Sequence, residues 1–253
     1  MQANVMVMIF FIMGLLGGSF LNVVIYRLPR GETVILGRSH CPTCGITLNW
    51  YDLVPVLSFF ILKGRCRNCR AAISRRYPLV EILSALLFVI IFSHYGMTAA
   101  SIKYIFLFAL LLAAAFIDLD YYVIPDELVL TGLTGGVILD LAARDISISS
   151  AMIGAGAAGA FFLILSMASR GGVGGGDIKL AAVIGLFLGW PLTPLAILFA
   201  SLIGGVTGLV LLLSRKKRPR DVLPFAPFLG AGTFVALLAG RAVMEWYIST
   251  FII

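Results

Sequence analysis

Twelve acidic side chains are spread over 253 residues, and two of them, Asp118 and Asp177, stand where a long apolar run meets a polar connection. Asp118 lies in Phe116-Ile117-Asp118-Leu119-Asp120, at the end of the run 102–117, ahead of Ile124-Pro125-Asp126-Glu127. Asp177 follows Gly174-Gly175-Gly176 and opens the run 178–190. A third acid, Glu81, is embedded in the apolar run that begins after Tyr77-Pro78. Ionisable groups at membrane depth are costly to place and are functional candidates for that reason. If the two runs are helices meeting the same side of a membrane, the carboxyl groups of Asp118 and Asp177 can meet. Two carboxyl groups a few ångströms apart share one proton, leaving one as base and the other as acid. Peptide-bond hydrolysis by an aspartyl mechanism needs that arrangement: the carboxylate takes a proton from the attacking water while the carboxylic acid hydrogen-bonds the scissile carbonyl.

The glycines before Asp177 allow close backbone approach and positive φ angles. The helix start at Asp177 favours a resting carboxylate there, and the helix end at Asp118 favours the resting acid. The plainer reading makes Asp177 a helix cap and Asp118 a solvated helix end, with Asp120 about 200° around the same helix. Lys179, two residues beyond Asp177, either holds the charge of the aspartate or marks the interface. Of the remaining acids, Glu32, Asp52, Asp145 and Asp221 read as solvated loop residues. Asp140 and Glu245 read as outer-end residues that reach water.

All four cysteines fall in one polar stretch, as Cys41-Pro-Thr-Cys44 and Cys66-Arg-Asn-Cys69 with 21 residues between the pairs. Two such knuckles can bring four thiolates to tetrahedral positions around one structural Zn²⁺, with no ligand position left for a catalytic water. The competing chemistry is a thiol–disulfide exchange pair. A reducing cytoplasmic location favours the metal, which would supply folding free energy to a loop too small to build its own core.

These groups need elements to hold them, and the composition says which. Hydrophobic residues make up 60% of the chain and charged residues 12%, about half the share of a water-soluble protein. The mean hydropathy is +1.05. Disorder, a collagen-like repeat and a disulfide scaffold are excluded, and the apolar surplus implies lipid contact. Eight apolar runs, 5–24, 79–95, 102–117, 128–143, 151–168, 178–190, 192–213 and 229–248, predict an all-α polytopic membrane protein. The first reads as a membrane helix rather than a signal peptide, because no Lys or Arg precedes it.

The predicted organisation is a first helix over 1–26, a cytoplasmic loop over 27–77 resembling a zinc ribbon, and a membrane core over 78–253. Connections one–two, five–six and seven–eight hold sixteen Lys and Arg residues. These include Arg170 and Lys179, and the run Arg215, Lys216, Lys217, Arg218 and Arg220; the opposite side holds Lys103 and Arg144. That asymmetry places the basic loops in the cytoplasm and both termini outside, with anionic lipid rather than nucleic acid as the partner of the basic runs.

The motifs together resemble the bacterial type IV prepilin peptidases, the leader peptidase/N-methyltransferase family, over nearly the whole chain. The segment Gly18-Ser19-Phe20-Leu21-Asn22-Val23-Val24-Ile25-Tyr26-Arg27-Leu28-Pro29 is similar to that family's opening signature. The cysteine pairs resemble its zinc-binding loop, Arg76-Tyr77-Pro78-Leu79-Val80-Glu81 the approach to its second helix, and Gly174-Gly175-Gly176-Asp177 the GxGD motif of membrane aspartyl proteases. The resemblance implies Asp118, six residues before Ile124-Pro125, as the other catalytic aspartate rather than Asp120. It further implies an inner-membrane peptidase that cuts the leaders of prepilins and pseudopilins at the cytoplasmic face, then methylates the new N-terminus from S-adenosylmethionine. No soluble-methyltransferase fingerprint is visible, so methylation is implied by the resemblance alone. Glu81, Asn22 and Arg27 are candidates for amine or cofactor binding. Their structural alternatives are a buried polar contact for Asn22 and Glu81, and headgroup contact for Arg27. Two rivals stay open, a proton-coupled transporter and a membrane thiol oxidoreductase. Oligomeric state is not legible.

Overall fold

The computed structural model describes residues 2–169, 172–216, 218 and 221–251. Arg170, Lys217 and Arg220, which figured in the charge reading, lie outside the described residues. The chain forms two compact units, Met1–Met97 and Thr98–Ile253.

The first unit is built on α1 (Gln2–Arg27) and α3 (Arg76–Tyr95). They run antiparallel in close contact because Gly14 and Gly18 face the backbone of α3. A Cβ on Gly14 would come within 2.5 Å of the Ala85 Cα, and one on Gly18 within 2.6 Å of the Glu81 Cα. Small residues at i and i+4 are how helices approach in lipid, where little hydrophobic force drives them together. Between the two helices the chain makes a 3₁₀ turn (Leu28–Arg30), the two cysteine knuckles, a second 3₁₀ turn (Trp50–Leu53) and a short helix α2 (Leu57–Ile61). Among the described residues there is no β-sheet; one isolated antiparallel bridge, His40 with Thr47 and Arg65 with Ala72, closes each knuckle.

The second unit comprises α4 (Ala99–Tyr121), α5 (Asp126–Ala143), α6 (Ile148–Ala168), α7 (Gly175–Leu188), α8 (Leu192–Leu213) and α9 (Ala226–Phe251). Helix starts follow local chemistry. The Thr98 and Ser147 side chains accept from the backbone N–H of Ser101 and Ser150, capping α4 and α6. Helix α7 is the central element, touching α4, α5, α6, α8 and α9. From Leu180 onward almost all of its residues are buried.

Six helices, α1, α3, α4, α6, α8 and α9, are long and apolar enough to cross a membrane. The protein is thus an all-α polytopic membrane protein. The other two expected spans differ for physical reasons. Helix α5 carries Asp126, Glu127 and Asp140, and α7 has 14 residues, about 21 Å of helix against a hydrocarbon core of ~30 Å. Because α7 is surrounded by other helices, its length is set by protein packing rather than by lipid.

Four charge readings need correction. Lys103, counted as an outer loop charge, is fully buried, and its Nζ lies 2.6 Å from Asp140 Oδ1 and 2.9 Å from Asp145 Oδ1. Asp140 is buried rather than wet, and Asp145 also accepts the Tyr104 hydroxyl at 2.6 Å. Burial alone would push the Asp145 carboxyl up, but Tyr104 and Lys103 outweigh it and hold it below the usual carboxylate range. Asp52 is not solvated either: its carboxylate is 6% exposed and paired with Arg67 at 2.8 Å.

Candidate functional site

Asp118 occupies the last turn of α4, which ends when Tyr122 turns left-handed and its N–H bonds the Asp118 carbonyl. Its side chain points inward and is 6% exposed, whereas Asp120 falls on the exposed face. Asp177 stands in the first turn of α7, its own N–H donating to the Gly174 carbonyl at 3.1 Å. Helices α4 and α7 pack together, with Asp118 in the last turn of one and Asp177 in the first turn of the other. The packing therefore brings side chains 59 residues apart in the chain into one electrostatic neighbourhood.

Asp118 Oδ2 accepts the Ala226 N–H at 3.0 Å in a buried bond, and the Phe225 N–H also donates to this carboxyl group. Both donors belong to the start of α9. Pro224 and Pro227 flank them, and because proline has no N–H, the donors left at that helix end converge on Asp118. Asp177 has less support: the Gly174 N–H also donates to its carboxyl group, while its Oδ1 is buried and without a hydrogen-bond partner among the described residues. The proton assignment made from each aspartate's own helix end leaves out a second helix start, that of α9, which serves Asp118. Sequence reasoning missed Phe225 and Ala226. The spaced prolines before an apolar run were the signal available.

The glycine expectation holds for close approach and fails for positive φ. None of Gly174, Gly175 or Gly176 has a positive φ. A Cβ on Gly176 would come 2.9 Å from the Ile124 Cβ, and one on Gly174 would come 3.3 Å from Asp177 Oδ2. Nothing lies within 4 Å of a Cβ on Gly175. The Ile124-Pro125 stretch thus sits directly against the helix start that bears Asp177. Lys179 pairs with Asp126 at 2.6 Å, joining the starts of α7 and α5.

In the first unit, the Asn22 amide donates to the Tyr77 carbonyl at 3.0 Å, while its Oδ1 is buried without a partner among the described residues. Glu81 is buried between α1 and α3, and its Oε2 accepts the Val56 N–H at 2.7 Å. Arg27 is buried as well. Its guanidinium donates to the carbonyls of Thr33, Leu36, Gly37 and Arg38 at 3.0 to 3.4 Å, so it organises the loop rather than facing a headgroup.

The four cysteine Sγ atoms lie within 4.8 Å of one another, with Cys41 and Cys69 3.8 Å apart. Tetrahedral Zn–S bonds of about 2.3 Å place sulfurs about 3.8 Å apart, so the cluster fits one metal ion. The knuckles are alike: Cys41 N–H bonds the Ile46 carbonyl and Cys66 N–H the Ala71 carbonyl, at 2.9 and 2.8 Å. The Ile46 N–H draws the Cys44 thiol down to about 6. At Cys69 the Ala71 N–H also favours the thiolate, but burial and the neighbouring thiols together push it up to about 11. Four thiols this close cannot all ionise without a cation among them. All four converge on one point, unlike the single pair of a disulfide-exchange site.

The pattern of the bacterial peptidase A24 N-terminal domain matches residues 12–95, and that of the type IV leader peptidase family matches residues 105–209. The chain is 36% identical over 270 residues to a prepilin leader peptidase/N-methyltransferase of Aeromonas salmonicida, covering 95% of this chain and 93% of that protein. Proteins of the same description from Pseudomonas aeruginosa and Bacillus subtilis are 34% and 35% identical. They cover 94% and 96% of this chain, and 91% and 98% of their own lengths. No solved structure matches the chain.

Proposed function

Because the chain belongs to the type IV leader peptidase family, we propose that it cleaves the leaders of prepilins and pseudopilins with Asp118 and Asp177 and then N-methylates the product. What supports the residue assignment is the convergence of these two carboxyl groups through the packing of α4 on α7. The two N–H groups at the start of α9 complement a carboxylate at Asp118, so Asp118 takes the base role and Asp177 the acid role. The Asp118 carboxylate removes a proton from water as the water oxygen bonds the scissile carbonyl carbon. Asp177 passes its proton to the carbonyl oxygen. In the second step Asp118 gives its proton to the amide nitrogen as the C–N bond breaks, and Asp177 recovers one from the diol. Both groups return to their starting states. Gly174 and Gly176 leave room for this turn, and Lys179 holds it to α5 through Asp126.

The product is a free amine, and S-adenosylmethionine supplies the methyl group when bound. Glu81, with one carboxylate oxygen committed to Val56, is assigned to that activity together with Asn22, whose buried amide oxygen is open to an N–H donor. Cys41, Cys44, Cys66 and Cys69 would hold a structural Zn²⁺ in a zinc-ribbon-like loop over 27–77, between a first helix over 1–26 and a core over 78–253. Counting α5 and α7 gives eight spans in the inner membrane, with the basic loops and the aspartates on the cytoplasmic side and both termini outside.

The test is cleavage of a prepilin by the purified chain in detergent, with and without S-adenosylmethionine. Asp118→Asn and Asp177→Asn should each lower cleavage by at least ~10³-fold, while Asp120→Asn stays within about threefold of the parent. Full activity in Asp118→Asn with none in Asp120→Asn would move the role. An intact prepilin with the unaltered chain would point to a transporter instead.

A further inference from the structure

The cytoplasmic loop carries an apolar face that neither the peptidase nor the metal site explains. Trp50 is 80% exposed, Phe60 66% and Ile61 73%, and Tyr51, Leu53 and Leu57 are exposed beside them. These side chains belong to one folded piece, because the 3₁₀ turn Trp50–Leu53 packs against α2. They are followed closely by exposed Lys63, Arg65 and Arg70. In water such a face would be an aggregation liability.

Its depth is set by one part-buried bond. The Val56 N–H, in the middle of the piece, donates to Glu81 Oε2 at 2.7 Å. Glu81 stands five residues inside Arg76–Tyr95, a helix long and apolar enough to cross a membrane. At 1.5 Å per residue that is about 7–8 Å beyond the helix start; with Arg76 at the outer edge of a headgroup layer about 5–7 Å thick, Glu81 stands at the boundary between headgroups and acyl chains. The loop leaves α1 and returns to α3, both membrane-length helices, so it is tethered at the same level at both ends.

We propose that residues 50–61 are a membrane-interface anchor. Trp50, Leu57, Phe60 and Ile61 sit in the boundary between headgroups and acyl chains, and Lys63, Arg65 and Arg70 meet acidic phospholipid headgroups. Tryptophan and tyrosine favour that boundary, and an apolar face bordered by cations is the pattern of segments that lie in the plane of a bilayer. The anchor rests on the membrane reading of the chain and is independent of the peptidase assignment. Its consequence is that the cysteine loop is held against the membrane surface rather than projecting into the cytosol.

The test uses the full chain with its other two tryptophans replaced, Trp190→Phe and Trp246→Phe, so that only Trp50 fluoresces. It is reconstituted in vesicles of phosphatidylethanolamine and phosphatidylglycerol, with or without phosphatidylcholine brominated near the headgroup end of its acyl chains. Bromine should quench Trp50 by about half or more, and adding Leu57→Ser, Phe60→Ser and Ile61→Ser should cut that quenching at least about twofold with bound metal retained. Replacing phosphatidylglycerol by neutral lipid should raise quenching of Trp50 by acrylamide, a neutral quencher that the surface charge does not repel. Blue-shifted emission insensitive to bromine would show the face covered by protein, and red-shifted emission insensitive to bromine would show it in water. Either result overturns the proposal. Prepilin cleavage measured on the same vesicles separates failure of the anchor from failure of the peptidase reading.

Discussion

Lys103 offers the sharpest energetic prediction. It is fully buried between two carboxylates, at 2.6 Å from Asp140 and 2.9 Å from Asp145. Lys103→Met keeps the apolar stem and removes the cation, leaving two like charges with no counter-ion. Removing one partner from a buried pair costs about 3–5 kcal/mol. Asp145 keeps the Tyr104 hydroxyl and is one-fifth exposed, whereas Asp140 is 8% exposed, so the penalty concentrates on Asp140. The expected loss is therefore about 3 kcal/mol, more than about a hundredfold in the folded-to-unfolded ratio.

The double variant Lys103→Met, Asp140→Leu should recover all but about 1 kcal/mol, because an apolar pair of similar volume replaces the ion pair. The assay is reversible unfolding of the purified protein in mixed micelles. Asp118 lies fifteen residues along the same helix, about 22 Å away, so cleavage per folded molecule should not change. A single-variant loss under about 1 kcal/mol, or a double variant no better than the single, would refute the idea that Lys103 neutralises this cluster. Acid adds a second readout. The Asp145 carboxyl is held below the usual range, so its contribution is complete above about pH 4 and is lost as pH falls through its lower folded value. Tyr104→Phe should shrink that acid-induced loss.

Three further outcomes follow from the site geometry. Gly176→Ala should abolish cleavage or cost about 1–3 kcal/mol through the 2.9 Å approach to Ile124, while Gly175→Ala, with open space, should be neutral in cleavage and stability assays. Ala226→Pro removes the N–H that holds Asp118 at a helix position where proline is otherwise tolerated; cleavage should fall at least ~10²-fold with the fold retained by circular dichroism, and Ala226→Gly should remain active. A strong chelator, or Cys41→Ser with Cys44→Ser, should release one metal ion per chain by elemental analysis and make the 27–77 loop sensitive to protease. An unchanged digestion pattern in the metal-free protein would remove the structural role of the metal.

The amino-acid sequence by itself determined the membrane class, most of the helices and the local motifs proposed to carry chemistry. Apolar runs are local, and so are Gly174-Gly175-Gly176-Asp177 and the two cysteine knuckles; each was legible because its spacing alone restricts what it can form. Even there the runs under-read the helices: α4 extends through Asp118 and Asp120 to Tyr121, because polar end residues keep helical geometry once a cap or a neighbour satisfies them, and α9 begins at Ala226, with Pro227 in its first turn, where its missing N–H has no helical partner to lose. Burial and pairing between distant segments were decided only by the tertiary structure. Lys103, Asp140 and Asp145 look like separate outer charges in the sequence, and only the packing of α4 beside α5 turns them into one buried cluster. The donors to Asp118 stand 108 residues away at the start of α9, so the helix terminus that acts on the aspartate is not its own. Electrostatics falls off with distance in space, and distance along the chain says little about that until the helices have packed.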